Sequence, residues 1–188
     1  MKFLKWLLII VGGLLGLFIV VSFFLPKAYY VERSIDISAP AVLVYSQVSD
    51  LDAWRKWDPW GELDPDMTVT YGESRVGLGA SYSWQSETSG DGTMEIVEVE
   101  APNRIKYKLT FEGYEDNPSY SRILLEAGNA IGPTTVTWTF EGDVGEKLFA
   151  RWMVLLMDKF VGMNYEKGLS NLKALCEGMI AAPPEVEG

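Results

Sequence analysis

An uninterrupted apolar run near the N-terminus constrains this chain more than any other feature. From Leu7 to Leu25 there are 19 residues without a charge. As a helix they rise about 28 Å at 1.5 Å per residue, enough to cross the hydrocarbon core of a bilayer. A cleaved signal peptide is the rival reading. Against it, the run exceeds an ordinary signal core, and the residues from Phe23 to Lys27 offer no small-x-small cleavage site, though Ala28 is nearby. Residues 1–28 therefore read as a single-pass membrane anchor. Lys2, Lys5 and the α-amino group precede the run, and Lys27 and Arg33 follow it. This slight bias leaves the N-terminus in the cytoplasm and the rest of the chain on the extracytoplasmic side of the cell membrane. Gly12 and Gly16 form a G-x-x-x-G pair. Such a pair permits a weak homodimer through the membrane helix, although glycine is common in membrane helices in any case.

About 160 residues remain, enough for one domain with a core that needs no disulfide or metal. After Leu25, 14 Lys and Arg face 26 Asp and Glu, a net charge of −12. Such a surface repels phosphate backbones, so nucleic acid is excluded as a partner. There is no histidine and only one cysteine, Cys176. Ser-His-Asp and Cys-His catalysis are thereby excluded, as are His- and thiolate-based zinc sites. Neither a phosphate-cradling P-loop nor a dinucleotide fingerprint occurs. No metal ligands, cofactor or catalytic residues are assigned, and whether the chain is an enzyme stays open, with binding the favoured reading. Asp50, Asp58 and Asp64 lie in an acidic stretch that lacks calcium-loop spacing, and they read as caps and turn formers.

Periodicity orders the remainder. Residues 29–37 alternate as a strand. Ser38 and Pro40 suggest the start of a helix, and a second short helix carries Trp54 and Trp57 and ends near Asp58, before Pro59. Six further strands follow, near 67–71, 80–87, 93–100, 104–111, 119–127 and 134–141. Residues 146–178 recur at three- and four-residue intervals, the mark of one long helix. The tail, 179–188, reads as disordered. The fold class is α+β: a curved seven-stranded antiparallel sheet whose apolar face is covered by the long helix.

Four stretches carry a resemblance: Val31-Glu-Arg-Ser-Ile-Asp-Ile-Ser-Ala-Pro40, Val48-Ser-Asp-Leu-Asp-Ala-Trp-Arg-Lys-Trp-Asp-Pro-Trp60, Gly77-Leu-Gly-Ala-Ser-Tyr-Ser-Trp84 and Met157 to Lys173. In these, and in its order of elements, the chain resembles the START-like helix-grip superfamily, in the polyketide cyclase/dehydrase (SRPBCC) group, over about residues 29–177. Residues 29–178 form the corresponding domain. The resemblance implies a helix-grip fold and a hydrophobic or amphipathic ligand, lipid- or polyketide-like. Similar domains bind lipids, sterols, polyketides and hormones, and a minority catalyse reactions. They share no fixed catalytic set, so no catalytic residue is carried over.

Six of the seven tryptophans lie beyond the anchor. Tyr82, Trp84, Tyr107, Phe111, Trp138 and Phe140 fall on the apolar phases of their strands, while Trp152, Met153 and Met157 lie on the long helix. They line a cavity or fill a solid core, and the resemblance favours the cavity. Trp54, Trp57 and Trp60 staple the short helices to the sheet rim or form the cavity mouth near the membrane. Arg122, a charge in an otherwise apolar strand, faces the surface or pairs with Glu95, Glu112 or a ligand carboxylate. The leading function is a membrane-tethered binding domain for a hydrophobic or amphipathic small molecule. The alternatives are a cyclase, dehydratase or hydrolase acting in the same cavity, and a non-catalytic interaction module of the cell envelope.

Overall fold

The computed structural model describes residues 2–128 and 132–181. The chain begins with α1 (Lys2–Phe24), whose apolar side chains are almost all exposed. The segment Phe3–Phe24 is long and apolar enough to cross a membrane. After three intervening residues comes β1 (Ala28–Ile37), followed by the short helices α2 (Ala41–Ser49), α3 (Leu51–Trp54) and α4 (Trp60–Leu63). Then come β2 (Thr68–Tyr71), β3 (Ser81–Gln85), β4 (Gly92–Glu100), β5 (Arg104–Phe111), β6 (Ser119–Ala127), β7 (Thr134–Asp143) and the long helix α5 (Ala150–Ala181).

All seven strands form one antiparallel sheet in the order β1-β7-β6-β5-β4-β3-β2. The expected seven-stranded helix-grip architecture is therefore present. Alternation puts Val31, Ile37, Ile105, Tyr107, Ile123, Leu125, Val136 and Trp138 on the concave face, where α5 contributes Val161, Tyr165, Leu169, Leu172 and Cys176 to one core. Burial of this apolar face drives the packing, at roughly 25 cal/mol per Å² removed from water.

Two glycines let α5 lie close to the sheet. A Cβ at Gly168 would stand 2.8 Å from Trp138 Cζ3 and 3.0 Å from Pro59 Cδ. A Cβ at Gly162 would collide with the Arg33 guanidinium. Arg33, on the concave face of β1, reaches across the helix to Asp158 (3.0 Å) and Glu166 (2.7 Å). The charge that interrupts the apolar face of β1 thus clamps strand to helix.

Local details depart from expectation. Ser38 does not cap α2: its amide donates to Glu177 Oε1 on α5 (2.8 Å), and Pro40 occupies the cap position. The second short helix is split. Asp50 accepts the amides of Asp52 and Ala53 to start α3, and Trp57 falls in the turn beyond it. Asp58 then accepts the amides of Trp60 (2.9 Å) and Gly61 (3.2 Å), starting α4 afresh. Helix α5 begins at Ala150 rather than near 146 and continues through Ala181, past Met179 and Ile180. The first three residues of the expected tail are thus helical, and residues 182–188 lie outside the described residues. Arg122 faces outward and pairs with Glu141 on β7 (2.6 Å), not with Glu95 or Glu112.

Candidate ligand-binding site

The strand register arranges inward-facing side chains in rows across the sheet. One row runs Val69, Trp84, Gly92 and Phe111, and the next Tyr71, Tyr82, Met94 and Leu109. A third runs Ile96, Tyr107, Ser121, Phe140 and Val31. A fourth holds Ile105, Ile123, Trp138 and Arg33.

A ring cluster fills the centre. Trp54 lies 4.5 Å from Trp57, 4.9 Å from Tyr107 and 5.5 Å from Trp138, centroid to centroid. Tyr165 of α5 stacks on Trp138 at 3.7 Å. Most of the polar tips find partners, as buried ones must. Tyr107 donates to the Val48 carbonyl (2.6 Å) and Trp57 to the Gln47 carbonyl (3.1 Å). Trp138 Nε1 donates to Ser121 Oγ (2.7 Å), which also meets the Tyr165 hydroxyl (3.2 Å). Burial holds the phenols of Tyr82, Tyr107 and Tyr165 well above the usual tyrosine range, so all three are neutral. These central rings are 0–3% exposed, so almost no water-sized space touches them. In the centre, the hollow expected between sheet and helix is occupied by the rings themselves.

The far end of the sheet is more open. Helix α5 packs chiefly along β1, with a lesser contact to β7. Beyond its reach, Tyr82 and Trp84 are nearly buried, while Val69, Tyr71, Leu109 and Phe111 stay half-exposed. Successive rings meet edge to face or tilted: Tyr71–Tyr82 at 6.2 Å, Tyr82–Trp84 at 6.0 Å, Trp84–Phe111 at 5.7 Å. This is an aromatic floor with solvent on its outer side.

A polar corner adjoins it. The Asp58 side chain is 1% exposed. Its Oδ1 starts α4, while Oδ2 lies 3.7 Å from Arg55 Nη1 and has no hydrogen-bond partner among the described residues. Arg55 Nη1 and Trp54 Nε1 are likewise without one. Desolvation by burial raises the Asp58 pKa and outweighs the Arg55 charge and the Gly61 and Trp60 amides, which lower it. A buried carboxyl with a free oxygen beside an aromatic surface can accept a hydrogen bond from a ligand or, protonated, donate one.

The twelve residues singled out from sequence therefore divide. Trp54, Trp57, Tyr107, Trp138 and Phe140 belong to the central cluster, and Tyr82, Trp84 and Phe111 to the floor. Trp60 is half-buried on α4 and faces Phe160 across 6.3 Å. Met157 is half-buried at the edge of the core. Met153 is 59% exposed, and Trp152 turns to α1, stacking on Phe18 at 4.6 Å. The structure adds Tyr165, Ser121, Tyr71 and the Asp58–Arg55 pair. Tyr165 carries a legible signal: it lies four residues before Leu169 and seven before Leu172, on the same helical stripe. Ser121 sits in phase with Ile123 and Leu125, where a small residue leaves room for two large rings. Two shallow hollows on the described surface lie elsewhere. One, of about 430 Å³, runs beside Leu4 and Leu8. The other, of about 420 Å³, lies among Pro40, Leu43, Pro133 and Ile180.

A family profile described as polyketide cyclase / dehydrase and lipid transport matches residues 30–177. No curated protein sequence matches the chain significantly. Among solved structures, a norcoclaurine synthase point mutant from Thalictrum flavum, in complex with a transition-state analogue, aligns with a TM-score of 0.62 at 10% identity. That alignment covers 82% of this chain and 97% of the synthase. A protein from Thermobifida fusca aligns at TM-score 0.60 and 20% identity, over 80% of this chain and 94% of its own. One from Chromobacterium violaceum aligns at 0.57 and 19%, over 79% and 96%. At these identities the likeness is one of fold.

Proposed function

The chain belongs to the polyketide cyclase / dehydrase and lipid transport family, and from that premise we propose that it is a membrane-tethered binding domain for a hydrophobic or amphipathic small molecule. The observation that carries this reading is the partly open aromatic floor of β2–β5, with Tyr71, Leu109 and Phe111 half-exposed beside the buried Asp58. Apolar walls with a few polar groups are how small-molecule sites are built. Norcoclaurine synthase, with the same fold, holds a transition-state analogue.

The tether rests on α1. Its C-terminal end is docked on α5: Trp152 Nε1 donates to Ser22 Oγ (2.7 Å), and Arg151 donates to the carbonyls of Ser22 and Phe23 (both 3.2 Å). A cleaved signal peptide would have no use for such a fitted contact. On this reading residues 1–28 act as anchor and 29–178 as ligand-binding domain, and the slight charge bias around the anchor favours the extracytoplasmic side.

Native mass spectrometry of the detergent-extracted full-length protein is the first test, and a retained apolar ligand is the expected result. A ligand at about 100 times its Kd adds roughly 2.7 kcal/mol of stability. A panel of lipids and polyketides that neither shifts the melting temperature nor changes tryptophan fluorescence would overturn the reading in favour of an interaction module, which the ring-filled centre would suit.

Asp58 favours a second reading. A buried carboxyl of raised pKa with an unpartnered oxygen is suited to general acid or base catalysis on a ligand held against the floor. In that case Asp58→Asn retains ligand but abolishes any conversion detected by mass.

A further inference from the structure

The N-terminal half of α5 carries an apolar face that none of the described residues covers. Phe149, just before the helix, and Met153, Leu156, Phe160 and Met163 recur at four- and three-residue spacing on one side, each more than half exposed, with Leu155 beside them. Monomeric surfaces seldom present so large a contiguous apolar stripe without a partner. From Lys147 to Met157 the sequence holds Lys147 and Arg151 and no acid, although residues 26–188 carry a net charge of −12.

The stripe begins at the junction with α1. Trp152 stacks on Phe18 at 4.6 Å, and Phe149 lies 5.6 Å from the same ring. Arg151, 4% exposed, caps the C-terminal carbonyls of α1, and Lys27 pairs with Glu146 just ahead of α5. Phe18 lies seven residues inside Leu25, or about 10 Å along the helix. Wherever α1 sits in a bilayer, Phe149 and Trp152 are therefore carried below the end of its apolar run.

We propose that the exposed face of α5 from Phe149 to Met163 lies in the interfacial layer of the bilayer that α1 crosses, so that the domain rests on the membrane rather than standing off it. The inference depends on the anchor reading of α1. The composition suits the site: an indole just inside the end of the apolar run, an exposed basic residue, Lys147, able to reach lipid phosphates, and aliphatic and phenyl groups directed at acyl chains. Burying this face against lipid also removes the apolar area that would otherwise make the domain self-associate.

The test uses the full-length protein in nanodiscs of phosphatidylcholine and phosphatidylglycerol, with a nitroxide at single cysteines replacing Met153, Leu156 or Phe160. Leu14 on α1 and Glu87 in the β3–β4 hairpin are the references. Cys176 is fully buried and stays unlabelled. Relaxation by dissolved oxygen is compared with relaxation by a water-soluble nickel chelate. The expected result is that positions 153, 156 and 160 resemble Leu14, with oxygen dominant, while Glu87 shows the reverse. Chelate dominance at all three, with Leu14 still in lipid, overturns the proposal and leaves the anchor standing. Protection from both reagents means that protein covers the face, and also overturns it. Chelate dominance at Leu14 itself removes the anchor reading.

Discussion

The indole of Trp138 lies flat on the phenol ring of Tyr165, with centroids 3.7 Å apart and planes within 11°. This stack joins β7 to α5, and Ser121 locks it by meeting both polar tips. Ser121→Ala keeps the space but leaves the Trp138 N–H and the Tyr165 hydroxyl without their shared partner. The expected loss is about 1–3 kcal/mol, the usual result of stranding buried donors. Denaturant unfolding of the full-length protein in detergent measures it. Trp138→Phe should retain the fold, whereas Trp138→Ala should lose about 3–5 kcal/mol.

Gly168 and Gly162 should respond to alanine with opposite signs. In a helix interior Gly→Ala gains roughly 1 kcal/mol of propensity. At Gly168 the new methyl meets Trp138 and Pro59, two rigid rings, and overpacking of about 1–3 kcal/mol outweighs that gain. At Gly162 it meets only the end of the Arg33 side chain, which can swing aside. The ion pairs lost there involve Asp158 and Glu166, both largely exposed, and pairs of that kind contribute only about 0–1 kcal/mol. Melting temperatures should fall for Gly168→Ala and hold or rise for Gly162→Ala. Equal losses at both sites would contradict the close approach described at Gly168.

Asp58 gives a pH signature. Its pKa is raised on folding above the reference value of 3.8, so between those two values the native state binds more protons than the unfolded state. Asp58 therefore takes stability away as pH rises through that window. Glu141, Glu146 and Asp158, whose pKa values are lowered by their partners, act in the opposite direction and gain stability over their own windows. Comparing wild type with Asp58→Asn isolates one group. The variant keeps an amide oxygen to start α4, should be the more stable protein at neutral pH, and should lose its advantage in acid. An advantage that did not change with pH would contradict the burial argument.

Cys176 is fully buried on α5, and desolvation pushes its thiol up to about 11. The thiolate is the reactive form, so a disulfide reagent at pH 8 should leave the native protein untouched and modify it only on unfolding. Prompt labelling without denaturant would show that the C-terminal half of α5 opens readily.

Much of the fold was legible because alternation and helical spacing are long and clean here. Residues 104–111 and 134–141 could only be half-buried strands, and the recurrence through Leu169, Leu172 and Cys176 only a core helix, whereas Leu155, Leu156, Phe160 and Met163 share its spacing but are exposed. The restart of the chain as α4 at Trp60 was not legible, because it depends on Asp58 giving one oxygen to two amides. The candidate site was harder. Phase placed Tyr82, Trp84, Tyr107 and Trp138 on the right face, but phase does not distinguish a ring that touches other rings from one that borders solvent. Trp152 and Met153 were grouped with the interior because they share α5 with it. Met153 is in fact exposed, and the surroundings of Trp152 are set by α1, a contact between segments more than 120 residues apart that no local pattern records.

Between Phe24 and Ala28 the chain has only Leu25, Pro26 and Lys27, which could span about 10 Å if fully extended. Val144 donates its amide to the Lys27 carbonyl (3.1 Å), so even that length is pinned. The connection is a hinge plate rather than a leash. On the membrane-tethered reading, whatever molecule the domain accepts or hands on must meet it within one protein diameter of the lipid headgroups. Encounters are then confined to lateral diffusion in a plane, and a soluble acceptor across a wide aqueous gap lies out of reach.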